Sequence, residues 1–229
     1  MDNNLLAYLR KFNIEPKDKQ IYNHAFIHRS YLNEHPEDEP SNERLEFLGD
    51  AVLELLTTEF LYQNLGGTEG DLSSIRAASV RTTTLAIISQ RMGLADHLKL
   101  SKGEEITGGR EKVGLLADLF EAFLGAVYLD QGFDKAKELF DANLLPYIKD
   151  IIKNKKYIDP KTYLQEITQE KFKTLPEYKI LEESGPDHNK IFKIAVGVNN
   201  KILGEGEGPS KQQAQEEAAR SALHKLEQK

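Results

Sequence analysis

Apolar positions in the first two thirds of the chain recur every three or four residues. Leu5, Leu6, Leu9 and Phe12 start the pattern, which predicts further helices over about residues 17–28, 43–63, 72–91, 114–129 and 134–152. Gly66-Gly67, Gly93, Gly108-Gly109 and Gly132 stand between these stretches as helix ends or turns. No period-2 run appears before residue 175, so this part is expected to be an all-α bundle.

The grammar then changes. Asp159-Pro160 reads as an N-cap followed by proline at the first helical position, with Leu164, Ile167 and Phe172 as the buried stripe. Tyr178 and Ile180 alternate with polar neighbours, and Phe192, Ile194, Val196 and Val198 alternate strictly, which marks strands. Asn199-Asn200 reads as a hairpin turn into Lys201–Glu205. Ser210 and Gln213 have capping-box spacing ahead of a helix whose apolar face carries Ala214, Ala218, Ala219, Ala222, Leu223 and Leu226. The order α-β-β-β-α predicts a small two-layer α+β domain with both helices on one face of the sheet. Lys149, Lys153, Lys155 and Lys156 run into Tyr157-Ile158-Asp159-Pro160, a basic stretch closed by proline. The expected organisation is therefore multidomain: residues 1–153 all-α, a linker at 154–159, and the α+β domain at 160–229.

Composition narrows the chemistry. The 229 residues include no cysteine, which excludes disulfides, thiol catalysis, cysteine-based zinc sites and iron–sulfur clusters, and makes the cytoplasm the expected compartment. No uncharged run approaches the length of a membrane span, and the polar start Met1-Asp2-Asn3-Asn4 does not read as a secretory leader, so no membrane partner is expected. The net charge of −7 argues against a nucleic-acid partner in bulk. It is unevenly placed, however: residues 160–229 carry 11 basic and 11 acidic side chains and are neutral.

Two helices carry candidate chemistry. In residues 115–129, otherwise apolar nearly all round, Asp118 and Glu121 are the only charges and share one face. Burying unpaired carboxylates is costly, so a cation or a proton should neutralise them. The other helix reads Asn42-Glu43-Arg44-Leu45-Glu46-Phe47-Leu48-Gly49-Asp50, with Glu43, Glu46 and Asp50 along one stripe. Acids at this spacing are usually a solvated face, and Arg44 could pair with one of them. The absence of Lys or Arg from residues 115–129 favours a site for a hard cation such as Mg2+ or Mn2+.

The run Asn42–Asp50 resembles the signature of the ribonuclease III family, and Ala117–Ala122 resembles its second acidic motif. The Glu69-Gly70-Asp71-Leu72 turn, Arg76 and a C-terminal segment similar to a double-stranded-RNA-binding domain extend the likeness over nearly the whole chain. The resemblance implies a homodimeric endoribonuclease that hydrolyses phosphodiester bonds of duplex RNA with Mg2+ (Mn2+ as a substitute) and no small-molecule cofactor. It implies 5′-phosphate and 3′-hydroxyl ends, and a role in processing ribosomal, messenger and transfer RNA. It also implies that Glu46, Asp50, Asp118 and Glu121 bind metal, with Asp50 and Glu121 nearest the chemistry. Glu43 and Glu69 match outer acids of the cleft, and Phe47 matches an aromatic that packs into the partner subunit; by pattern alone Phe47 is an ordinary core side chain.

In the second domain the resemblance implies that Thr162, Gln165, Glu166 and Gln169 line one minor groove of the duplex. Gly185-Pro186-Asp187-His188 would enter the next, and Ser210 and Lys211 would meet phosphates. The family's usual lysine cluster is reduced to Lys211, with Gln212 and Gln215 where further lysines are common, so weaker and less salt-dependent binding is expected. A protein-interaction module is the alternative for this segment. An RNA-holding protein that does not cut is the alternative for the whole. His24 and His28 stand at i, i+4 without a third ligand and are read as structural. The segment from Gly103 to Arg110 reads as a flexible loop that either touches RNA or joins two helices.

Overall fold

The computed structural model of the chain describes residues 3–36, 40–186 and 190–227, and falls into two compact units, Met1–Tyr157 and Ile158–Lys229. Among the described residues the first unit is helical: α1 (Asn3–Arg10), α2 (Lys19–Ala25), α3 (Glu43–Asn64), α4 (Glu69–Ser79), α5 (Thr82–Met92), α6 (Lys102–Ile106), α7 (Val113–Gln131), α8 (Phe133–Asn143) and α9 (Leu145–Lys153). Helix α7 is the hub: Leu116, Leu119, Phe120, Phe123, Leu124 and Val127 are fully buried, and α3, α5, α2 and α8 pack around it. At its far end the buried Asp130 accepts the backbone N–H groups of Lys17 (3.1 Å) and Asp18 (2.7 Å) and the Tyr22 hydroxyl (3.0 Å), which anchors the start of α2.

Three expectations are refined. The helix expected over 72–91 is two, α4 and α5, because the chain turns at Val80-Arg81. The stretch 134–152 likewise breaks at Leu144, and proline occupies the first turn of α9. The segment around Gly103–Arg110 is an ordered short helix and turn. It is held by Arg110 on Glu105 (2.6 Å) and by Lys112 on Glu104 and the Thr107 hydroxyl, and Gly108 takes the left-handed conformation that lets it reverse.

The second unit has the order α10 (Pro160–Phe172), β1 (Glu177–Ser184), β2 (Ile191–Val198), β3 (Lys201–Gly208) and α11 (Lys211–Glu227). The strands form one antiparallel sheet in the order β1-β2-β3. Asn199 and Asn200 both have positive φ (50° and 62°), as a tight hairpin turn with the right twist requires. Asp159 caps α10 by accepting the Thr162 N–H (2.8 Å), and Ser210 caps α11 by accepting that of Gln213 (3.2 Å). Leu164, Val196, Ala218, Ala219 and Ala222 form the core, whereas Phe172 is partly exposed beyond the end of the α10 stripe. Helix α11 lies almost on the backbone of β3. A Cβ at Gly204 would collide with the main chain of Ala218 and Ala222, and one at Gly206 with that of Ala214, Glu217 and Ala218.

Candidate active site

The two acidic motifs meet because α3 and α7 cross backbone to backbone. A Cβ at Gly49 would collide with the carbonyl of Glu121, and one at Gly125 would collide with the carbonyl of Leu45 and lie 3.1 Å from the Gly49 nitrogen. Only glycine at both positions permits this approach. It carries Glu46, one turn before Gly49, onto the same ground as Asp118 and Glu121. One carboxylate oxygen from each of Glu46, Asp118 and Glu121 lies within 4.8 Å of the others, and all three side chains are half-buried.

Electrostatics disfavour full ionisation of this grouping without a cation. Burial, then the charges of Asp50, Asp118 and Glu46, push the Glu121 carboxyl up to about 8. Burial raises Glu46, followed by the charges of Asp118, Glu43 and Asp50, with Arg29 partly offsetting them. Burial raises Asp118 as well, offset by His28 and Arg29. All three carboxyls resist ionisation because their water is limited, and Glu46 and Glu121 do so further because their neighbours are anions. A bound cation relieves all three at once. The donors in this group are carboxylate oxygens, which suits a hard divalent cation and gives little purchase to zinc or copper.

The other expected acids stand differently. Asp50 is exposed and acts on Glu121 and Glu46 through its charge, outside the close trio. Glu43 pairs with Arg29 (3.6 Å) and accepts from the Ser41 hydroxyl (2.9 Å) at the rim. Glu69 is not brought to the trio. It opens α4, accepts the Ser73 hydroxyl (2.8 Å) and lines a cavity of about 410 Å3 with Thr58, Tyr62, Leu72 and Arg76. Phe47 is 82% exposed, so within this chain it is not a core side chain.

Sequence patterning missed His28 and Arg29 as neighbours of the acids. Helix α2 ends at Ala25, so His28 lies beyond it and does not pair with His24 on a helical face. A short parallel bridge between Ile27 and Lys99, with Lys99 N–H on the Phe26 carbonyl (2.7 Å) and His28 N–H on the Lys99 carbonyl (3.1 Å), sets the histidine beside α7. Its Nδ1 accepts the Ser30 N–H (3.2 Å) and lies 2.8 Å from the Ser30 hydroxyl, which in turn accepts the Ser101 N–H (3.1 Å). Burial lowers its pKa, against the charges of Glu104 and Asp118. No local signal announces this, because the bridge joins residues 72 positions apart, Ile27 and Lys99.

In the second unit Thr162, Gln165, Glu166 and Gln169 are all exposed on α10, at spacings of 3, 1 and 3 that keep them on one face. Lys211 is exposed at the start of α11, where its ammonium pairs with Glu183 (3.2 Å) and sits 5.4 Å from the Phe192 ring centre. Gly185 and Pro186 lead into the expected loop; Asp187 and His188 lie outside the described residues. Across the sheet Lys193 faces Glu205 (3.9 Å) and Glu207 (3.3 Å).

Comparison with known proteins agrees with both units. Residues 18–148 match the family model described as Ribonuclease-III-like, and residues 160–226 match the double-stranded RNA binding motif. The chain is 40% identical over 224 residues to a protein of Treponema denticola named Ribonuclease 3, covering 97% of this chain and 91% of that one. It is 44% identical over 212 residues to a protein of the same name from Listeria monocytogenes, covering 92% of each. Among solved structures, the nuclease domain of ribonuclease III from Campylobacter jejuni superposes with a TM-score of 0.55 at 36% identity, over 65% of this chain and 96% of that one. A second structure of that domain, described for flexibility in a region involved in dimer formation, gives 0.53 at 41% identity, over 57% and 88%.

Proposed function

Since the chain belongs to the ribonuclease III family, we propose that Glu46, Asp118 and Glu121 together hold the divalent cation with which it cleaves double-stranded RNA, and that Asp50 joins them when substrate is bound. The chain is a double-stranded-RNA endoribonuclease. What carries the assignment to these residues is the trio of half-buried carboxylates within 4.8 Å, each raised from its ordinary value by burial. Mg2+ is the ion we assign, with Mn2+ as a substitute. When bound, such an ion polarises the scissile phosphate and lowers the pKa of water.

The chain's own residues do the rest. The Gly49–Gly125 crossing fixes the carboxylates before substrate arrives, so little reorganisation accompanies the reaction. The apolar body of α7 limits the water that would screen them. Asp50 and Glu121 are assigned nearest the reacting phosphate; Glu43, tied to Arg29, and Glu69, set apart from the trio at the start of α4, are assigned as outer acids. The products we assign carry 5′-phosphate and 3′-hydroxyl ends.

Residues 160–229 hold the duplex, joined to the nuclease domain (1–153) by a linker at 154–159. Thr162, Gln165, Glu166, Gln169 and His188 would read groove shape, with Ser210 and Lys211 at phosphates. The working form is a homodimer with Phe47 at the contact. A bare phenyl ring in water on α3, with exposed Leu55 and Tyr62 on the same helix, is poor surface for a monomer. We place the reaction in the cytoplasm, on ribosomal-RNA precursors and on some messenger and transfer RNAs.

The test is one gel. Purified protein is incubated with a long RNA duplex in Mg2+ and in EDTA, and the product ends are typed. Cutting in Mg2+ alone, leaving 5′-phosphates, is expected. Binding without cutting in both would overturn the catalytic reading and leave an RNA-holding protein.

A further inference from the structure

The neutral segment 160–229 must attract a polyanion with few cations, and some of those are already engaged. Lys211 is paired with Glu183 at 3.2 Å, and Lys193 lies between Glu205 and Glu207. Lys161 is held differently. From the first turn of α10 its ammonium reaches across to α11 and donates to the side-chain oxygen of Gln215 at 2.7 Å, while lying 5.5 Å from the Tyr178 ring centre. That partner is a neutral amide, so the hydrogen bond fixes the ammonium in place without neutralising it, and the nearby Asp159, whose charge is felt at Tyr178, already caps the Thr162 N–H.

Its position is what matters. Gln215 lies four residues after Lys211 on α11, so the two share a face about one helical turn, roughly 6 Å, apart. Lys161 also immediately precedes Thr162, the first of the exposed polar residues on α10. A cation held there stands where the phosphate-facing start of α11 meets the groove-facing side of α10.

We propose that Lys161, aimed by Gln215, is a phosphate-binding residue of the duplex RNA interface, delivering from α10 the positive charge that the glutamine at 215 does not carry on α11. This rests on residues 160–229 being the duplex-binding domain. The tyrosine ring beneath favours a fixed, partly desolvated cation, which a phosphate can engage at small cost in side-chain entropy. In free protein the amide oxygen takes the third role a phosphate oxygen would fill, and it can be released without stranding a buried charge.

The alternative is a strut that merely ties α10 to α11, and salt dependence separates the two. Duplex RNA affinity of the full chain is measured in EDTA, where cutting is suppressed, from 50 to 200 mM salt, with thermal melts alongside. One phosphate contact contributes close to one unit of slope of log affinity against log salt, or a roughly threefold difference across that range. Lys161→Gln should lose about that unit, Lys161→Arg should keep it, and adding Gln215→Lys to Lys161→Gln should restore it. Lys211→Ala serves as the control for the face itself. A lowered melting temperature with an unchanged slope in Lys161→Gln, beside a reduced slope in Lys211→Ala, overturns the inference alone. An unchanged slope in both means the domain meets RNA by another face, and both readings fall.

Discussion

Glycine brings backbones together in both units, and the two contacts serve different ends. At the α3–α7 crossing, Gly49 and Gly125 sit inside the acidic motifs, so the approach that packs the helices also positions Glu46, Asp118 and Glu121. At the β3–α11 contact, Gly204 and Gly206 meet an alanine face that carries no chemistry. The first contact is a ruler for reacting groups, and the second is a foundation on which exposed side chains are displayed. Displacing the first should destroy activity out of proportion to stability, and displacing the second should do the reverse.

The largest effect is expected at the first contact. Gly49→Ala places a methyl group against the Glu121 carbonyl, which is backbone and cannot swing away. Overpacking of this kind costs on the order of 3 kcal/mol or more, and any surviving fold must hold the carboxylates apart. Cleavage should be undetectable, checked against the denaturant midpoint; a variant that cuts normally would dissolve the comparison. Next comes Glu121→Gln, which leaves the crossing intact and removes one charge. Its cleavage rate should fall ~10²–10³-fold with duplex affinity retained in a gel shift.

The same variant carries a pH signature. Because the folded Glu121 carboxyl is held near 8, above its unfolded value, the native state binds more protons than the unfolded chain between those values. Its contribution to the stability of metal-free protein is therefore lost as pH rises through that window. Glu121→Gln should raise the melting temperature in EDTA at alkaline pH and leave it little changed at acid pH. The second contact is broken by Gly206→Ala, expected to cost ~1–3 kcal/mol in the unfolding of residues 158–229 alone. Calorimetry should show one transition move while residual cutting at low salt persists. The smallest change sharpens the display side: Glu183→Gln frees Lys211, and a surface pair is worth ~0–1 kcal/mol, so duplex affinity should rise by no more than about fivefold.

Local signals were legible where the chemistry is local. The strict alternation over Phe192–Val198 is β2, Asn199-Asn200 is its turn, and Asp159-Pro160 and Ser210/Gln213 are working caps. The uncharged surroundings of Asp118 and Glu121 pointed to a buried face, which α7 has. What escaped depends on contacts between distant segments. Glycines between helical stretches were read as punctuation, yet Gly49, Gly125, Gly204 and Gly206 lie inside elements and matter through the neighbour they admit. The break at Val80 falls at an apolar residue without turn chemistry, so periodicity runs through it, whereas the break at Leu144 is marked by Pro146, a signal the apolar period overrides. Phe47 has the sequence look of a core residue, and only the packed chain shows that its side of α3 is left in water.

With the metal assigned to the trio as proposed, the raised Glu121 carboxyl makes metal uptake an exchange reaction. At neutral pH the metal-free protein keeps a proton on Glu121, and a cation must displace it to gain the full anionic trio. Loading is then a swap of two positive species, so apparent metal affinity climbs with pH until about 8 and flattens above. Calorimetric titration with Mg2+ in buffers of different ionisation heats should report the expelled proton as a heat that follows the buffer. On that assignment the site would sense the ratio of two cations, metal and hydrogen ion, and a fall in pH would weaken its hold on metal without any change in fold.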